Sequence, residues 1–304
     1  MRRIIRGCSA LGLAVLLTAG RPAAGAGIEV VDDSGVRLDL PHPVARIISL
    51  APGATEMLFA AGAGAKVVAT VAYSDVPAAA RAIARIGDAN AIDMERVLAL
   101  KPDVVVFWPG GNNAAQIAQL RRLHLTLYGQ QVDRLADLPA SLRRLAVLAG
   151  TTGVAAQRAA QIERQLIQLR DRYSHRPPVT AMLETWNQPL YTVGGRQIMS
   201  DALSVCGAVN VFGDLTQLSP AVQVEAVLSR DPDLIIVAPP PGGGAQWLAQ
   251  WRRFPQLKAV RSGNLIDFED QALGRLGPSV LDATARLCAQ IDAARARMVN
   301  RGNY

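Results

Sequence analysis

The chain has 304 residues, half of them apolar and 19% charged, with a mean hydropathy of +0.17. That composition excludes a disordered chain, and 44 scattered glycines and prolines exclude a collagen-like or low-complexity one. The net charge of +7 includes four arginines in the first 26 residues; the other 278 carry +3 and no run of five basic residues, which does not point to nucleic acid.

Residues 1–26 read as an address. Residues 1–6 are basic, 10–19 are apolar, and Ala24-Gly25-Ala26 is a small-x-small cleavage site. The apolar stretch is too short to span a bilayer. A cleavable signal peptide is expected, with an exported, periplasmic mature chain starting at Gly27. No later run of about 18 apolar residues appears, so that chain is expected to be soluble. Export leaves Cys206 and Cys288, which an oxidising compartment favours as a disulfide rather than two free thiols.

In chain order, 28–31 and 36–40 flank Asp32-Asp33-Ser34-Gly35, a hairpin signal. Residues 46–50, 66–70, 104–107 and 125–128 read as buried strands. Between and after them, 55–61, 92–100, 115–123 and 135–148 read as helices. Such alternation predicts parallel sheets covered on both faces. Residues 153–173 then form one long helical pattern, with Ala156, Ala159, Ile162, Leu166 and Leu169 at helical spacing and Thr151 or Thr152 as its cap. A helix of about 20 residues is about 30 Å long, enough to bridge two lobes. The α/β pattern resumes with strands at 179–183, 190–193, 234–237 and 264–268. Helices are expected at 197–206, 224–229, 247–251 and 279–298.

An internal repeat supports two lobes. Glu95-Arg96-Val97-Leu98-Ala99-Leu100-Lys101-Pro102-Asp103-Val104 returns 130 residues later as Glu225-Ala226-Val227-Leu228-Ser229-Arg230-Asp231-Pro232-Asp233-Leu234. In each copy a Glu opens a short helix, Pro-Asp stops it and an aliphatic strand follows. The expected architecture is two similar Rossmann-like α/β lobes, 27–150 and 177–304, bridged by a helix at 151–176. A cleft between lobes is a usual ligand site.

Catalytic signatures are missing from the sequence: no Gly-x-Ser-x-Gly, no Walker A loop and no His-Glu-x-x-His. His42, His124 and His175 are scattered, which argues against a multi-histidine metal site. The loops after strands are more informative, because ligands of open α/β sheets sit at strand carboxyl ends. They carry Pro52 and Gly53, then Tyr73, Trp108 and Tyr191. Aromatic faces there suit flat, conjugated or macrocyclic ligands, although each ring could equally plug its own lobe.

The stretch Arg46-Ile47-Ile48-Ser49-Leu50-Ala51-Pro52-Gly53-Ala54-Thr55-Glu56 resembles the opening motif of periplasmic metal-chelate binding proteins. These serve ABC importers of cobalamin, haem and iron-siderophores. Tyr73-Ser74-Asp75, the Glu95–Asp103 segment and Cys206-Gly207 resemble the vitamin B12-binding branch. The resemblance implies two lobes held by one backbone helix, and a corrin packed on Tyr73, Trp108 and Tyr191. It puts Arg275, in Gly274-Arg275-Leu276-Gly277-Pro278, near the ligand's side chains. Glu95 and Glu225 would dock on arginines of a permease dimer, and Cys206 would pair with Cys288. Ala89 and Ser219 stand where that branch can place further tryptophans. A carboxylate in a first helical turn also complements the helix dipole, which is the simpler reading of either glutamate alone.

The expected function is capture of cobalamin as cargo, with no resident cofactor or metal, no catalysis and no nucleic-acid partner, by a monomer. A haem or ferric-siderophore carrier is the alternative within the family. An exported α/β enzyme is more remote, because no nucleophile–base constellation is evident.

Overall fold

A computed structural model describes residues 27–88 and 91–301. The expected signal peptide and Ala89 lie outside them. A hairpin of β1 (Ile28–Val31) and β2 (Arg37–Leu40) opens the chain, paired antiparallel. Its turn residue Asp33 accepts hydrogen bonds from Ser141 Oγ (2.5 Å), Arg144 Nε (2.8 Å) and the Gln131 N–H (3.0 Å). These pin the hairpin to the first lobe.

That lobe alternates β3 (Ile47–Ser49), α1 (Pro52–Ala60), β4 (Val67–Ala69), α2 (Met94–Ala99), β5 (Val104–Phe107), α3 (Ala114–Arg122), β6 (Leu127–Gly129) and α4 (Leu138–Ala149). Its strands are all parallel, in the order β4-β3-β5-β6. The long helix α5 (Thr152–Tyr173) follows. The second lobe contains β7 (Val179–Asn187), β8 (Leu190–Thr192), α6 (Ile198–Val205), β9 (Ala208–Asn210), α7 (Val224–Arg230), β10 (Leu234–Val237), α8 (Gly244–Trp251), α9 (Lys258–Arg261), β11 (Leu265–Asp267) and α10 (Ser279–Arg301).

The repeat seen in the sequence is a repeat of topology. β3 lies between β4 and β5, with β6 beyond β5; β7 lies between β9 and β10, with β11 beyond β10. Both parallel cores therefore run second-first-third-fourth. The repeated Pro-Asp has a structural reason as well. Asp103 accepts from the N–H groups of Ala45 (2.7 Å) and Arg46 (2.8 Å), at the entry to β3. Asp233 accepts from the N–H (2.9 Å) and hydroxyl (2.8 Å) of Thr180, near the start of β7. In each lobe one aspartate anchors the first strand beside the third.

Several elements differ from the sequence reading. α1 starts at Pro52 rather than 55, because proline suits a first helical turn, where its missing N–H is not needed. β8 pairs antiparallel to β7, since two residues cannot make a parallel crossover. β9 and α9, of three and four residues, are too short for a periodicity signal. Thr151 does not cap α5 with its side chain; its hydroxyl donates to the Ala61 carbonyl at the end of α1 (2.6 Å). Glu95 and Glu225 stand second in α2 and α7 rather than first, and Asp93 caps α2 by accepting from the Arg96 N–H (2.9 Å).

The bridging helix is embedded. Ala155, Ala159, Ile162, Leu166 and Tyr173 form its buried stripe. That stripe belongs to one apolar core that also takes residues of α1 and α4 from the first lobe and of α6 and α10 from the second. The Cys206–Cys288 disulfide ties the end of α6 to α10. A close-packed core shared by both lobes resists their relative movement.

Candidate functional site

A cavity of about 430 Å³ opens between the lobes. The first lobe contributes the carboxyl ends of all four of its strands: Ala51–Ala54 after β3, Tyr73 and Asp75 after β4, Trp108 after β5 and Gln130 after β6. The second lobe contributes Gln271 and Gly274–Leu276, after β11. Parallel strands end together, so this clustering follows from the sheet itself.

Tyr73 is 78% exposed and its φ is +64°, in the left-handed region that bulky residues avoid. Such a conformation persists only where neighbours hold it. Here they form a buried hydroxyl chain: Thr55 Oγ1 reaches Ser49 Oγ (2.8 Å) and Thr70 Oγ1 (2.8 Å), and Thr70 donates to Ser74 Oγ (2.8 Å). Arg85 then binds the Ser74 carbonyl (3.0 Å) and the Asp75 carboxylate (3.0 Å). The loop is thus fixed on both sides of an aromatic ring that faces solvent.

Trp108 is held by its loop. Its backbone N–H donates to Asn112 Oδ1 (2.7 Å), and Asn112 Nδ2 donates to the Leu50 carbonyl (2.9 Å) at the end of β3. Gly111 packs on the indole so closely that a Cβ there would fall 2.0 Å from the ring. Pro52 and Gly53 form the first turn of α1 under the cavity. A Cβ on Gly53 would lie 2.7 Å from the Leu276 nitrogen, so glycine is what lets the two lobes' backbones meet.

Among the charged lining residues, Asp75 is paired with Arg85. Arg275 is half-buried, and its guanidinium has no hydrogen-bond or ion-pair partner among the described residues. The cavity therefore offers aromatic faces, two glutamine amides and one free cation. No group of His, Cys, Asp and Glu among the described residues could hold a metal ion.

Of the residues singled out from sequence, the cavity brings together Pro52, Gly53, Tyr73, Trp108 and Arg275. Tyr191 does not line it. It sits on β8, across from Trp186, at the opposite edge of the sheet from β11. Three strand spacings separate those edges, roughly 14 Å. Ser219 lies in the segment whose Leu218 and Pro220 carbonyls pair with Gly194 and Thr192. Gln130 and Gln271 escaped the sequence reading. Gln130 follows a predicted strand, so the strand-end rule could have found it; Gln271 follows the last strand and precedes Arg275 by four residues.

Glu95 and Glu225 are both exposed in first helical turns, and neither has an ionic or hydrogen-bonding partner among the described residues. Each helix runs back toward the start of the next parallel strand. Their N-termini therefore lie at the strand carboxyl ends of their lobes, the end that carries the cavity.

Residues 47–272 match the family model described as periplasmic binding protein. The vitamin B12-binding protein of Vibrio cholerae is 33% identical over 256 residues, covering 84% of this chain and 92% of that protein. The vitamin B12-binding protein of Pectobacterium atrosepticum is 34% identical over 253 residues, covering 81% and 88%. The crystal structure of the periplasmic vitamin B12 binding protein BtuF of Vibrio cholerae superposes with a TM-score of 0.76 at 32% identity, over 83% of this chain and 98% of that one. The apo periplasmic heme-binding protein RhuT of Roseiflexus shares the fold, at a TM-score of 0.69 and 22% identity over 82% and 98%.

Proposed function

This chain belongs to the periplasmic binding protein family, and from that premise we propose that it captures a corrinoid of the cobalamin type between its lobes and hands it to the permease of an ABC importer. Tyr73 and Trp108 would pack on the macrocycle, Pro52 and Gly53 would form the floor, and Arg275 would meet the ligand's side chains. Tyr191, at the far edge of the second sheet, suits a ligand wide enough to extend beyond the cavity. The protein makes and breaks no bond of its cargo and holds no cofactor of its own. Residues 1–26 direct it to the periplasm and are removed. The mature monomer divides into lobes 27–150 and 177–304 about the helical segment 151–176.

The observation that carries this reading is the charge of the cavity. One guanidinium without a partner among the described residues stands among neutral amides and aromatic rings, and the Asp75 carboxylate is offset by Arg85. A corrinoid periphery of neutral carboxamides matches that lining. Haem brings two propionates and seeks an axial donor, and a catecholate siderophore brings several negative charges. Tyr73 could supply that axial donor, but both ligands favour more cations than the lining offers.

Calorimetric titration of the exported protein with cyanocobalamin, haemin and a ferric siderophore tests it. Submicromolar one-to-one binding of the corrinoid alone is expected. Binding of haemin or the siderophore instead would move the ligand within the family. For delivery, Glu95 and Glu225 offer one unpaired carboxylate on each lobe, a matched pair suited to a two-fold symmetric partner. The Glu95→Ala/Glu225→Ala double variant should bind ligand unchanged yet fail to support uptake; normal uptake would remove the docking role.

A further inference from the structure

Gln130 stands where β6 leaves the first sheet, and its N–H donates to the Phe107 carbonyl of the adjacent strand (2.8 Å). Its side chain is fully buried, yet it lines the cavity. Nε2 donates across the cleft to the Leu276 carbonyl at 3.5 Å, the long limit of a hydrogen bond. That contact sets which end of the amide carries oxygen. Oε1 has no partner among the described residues. Buried acceptors are nearly always satisfied, so one left open at a cavity asks for a donor. Trp108, at the neighbouring strand end, also lines the cavity, but its buried Nε1–H lies beside Gly110 and Gln131 Oε1: a Cβ on Gly110 would meet the indole nitrogen at 2.9 Å and that oxygen at 3.0 Å.

A primary carboxamide answers Gln130: its N–H can donate to Oε1, whereas a carboxylate sets a second acceptor against it. We propose that Gln130 reads a carboxamide at the floor of the cleft and so selects amide-bearing ligands over carboxylate-bearing ones. This rests on the corrinoid reading above and names the residue that enforces it. A site built to hydrogen-bond one group rejects the analogue that leaves its buried polar atom unpaired.

The experiment compares cyanocobalamin with each monocarboxylate made by hydrolysing one of its side-chain amides. The unsubstituted protein, Gln130→Leu and Gln130→Glu are titrated with each, and melting curves report folding. The unsubstituted protein should bind at least one monocarboxylate tenfold or more weakly than the amide. Gln130→Leu should lose affinity for the amide and bring that ratio close to one. Gln130→Glu, which opposes a carboxylate with a second charge, should widen the ratio, and it carries the test if the leucine variant does not fold. A residue that only bridges the lobes would weaken both ligands equally. An unchanged ratio in the variants, or no preference in the unsubstituted protein, overturns the subsite. Failure of the unsubstituted protein to bind cyanocobalamin overturns the corrinoid reading itself.

Discussion

Glu56 and Ser279, 223 residues apart, join the two lobes: the Glu56 carboxylate accepts the Ser279 N–H at 2.6 Å and its hydroxyl at 2.8 Å. Glu56 belongs to α1, and Ser279 is the first residue of α10. A carboxylate from one lobe thus satisfies the amino terminus of the last helix of the other, where the helix dipole favours negative charge. Gly277 leaves it room, since a Cβ there would lie 2.7 Å from the carboxyl carbon.

Removing that carboxylate should loosen the lobes. Glu56→Ala loses a charged hydrogen bond and leaves α10 uncapped, at a cost of about 2 kcal/mol. Glu56→Gln keeps one acceptor and should lose less. Chemical denaturation measures both, and equal stability of all three proteins would show that the contact contributes nothing.

Tyr73 should trade stability for binding. Relief of its left-handed backbone by Tyr73→Gly should raise stability by about 1 kcal/mol, because the exposed ring gives up little burial. The same substitution should weaken ligand binding at least tenfold. Thermal melting and titration of one preparation decide it. A destabilised variant would mean that the ring packs where the structure leaves it exposed.

Glu184 makes stability depend on pH. It is buried on β7, accepts from Trp251 Nε1 (2.5 Å) and Gln250 Nε2 (2.9 Å), and meets no cation among the described residues. Burial raises its pKa from 4.5 to about 7, against the smaller lowering effect of those two bonds. The folded state therefore holds a proton that the unfolded chain gives up. Relative to alkaline pH, this stabilises the fold fully below the unfolded value and is lost as pH rises through about 7. The shift corresponds to at most about 3 kcal/mol. Glu184→Gln should match the unsubstituted protein near pH 4.5, the unfolded value, and exceed its stability at pH 8. Parallel denaturation profiles across that range would exclude the effect.

The disulfide should account for much of the second lobe's stability. Its cysteines are separated by 82 residues, and loop-closure entropy gives about 4.5 kcal/mol for such a crosslink. Replacing both by alanine should lower stability by about 2–4 kcal/mol. Both sulfurs are buried in the shared core, so the folded protein should resist a mild reductant that acts readily once it unfolds. Free-thiol titration before and after denaturation reads this directly.

Much of the fold was legible because its signals are local. Strand cores such as Val104–Phe107 and Leu234–Val237 are uniformly apolar, and their limits in the sequence are their limits in the structure. The long helix was found from its apolar spacing to within one residue of its start. The antiparallel pairing of β7 and β8 is not legible in the runs 179–183 and 190–193, whose composition carries no strand direction; only the two-residue connection betrays it. Tyr191 was grouped with Tyr73 and Trp108 as a strand-end aromatic, yet strand order separates it from the cavity, and order is not written in any one segment.

The two-lobe plan is written in local signals. Apolar runs choose strand or helix locally, and the copied Glu-x-Val-Leu and Pro-Asp segments carry the same local instructions twice. The sequence also sets the residue types at most strand ends, where the cavity gathers. Which of those ends meet is a matter of long-range packing. Glu56 with Ser279, Gln130 with Leu276, and Gly53 against the Leu276 backbone are contacts between residues more than a hundred positions apart. They depend on the angle at which the shared core sets one lobe against the other, and no spacing along the chain encodes that angle.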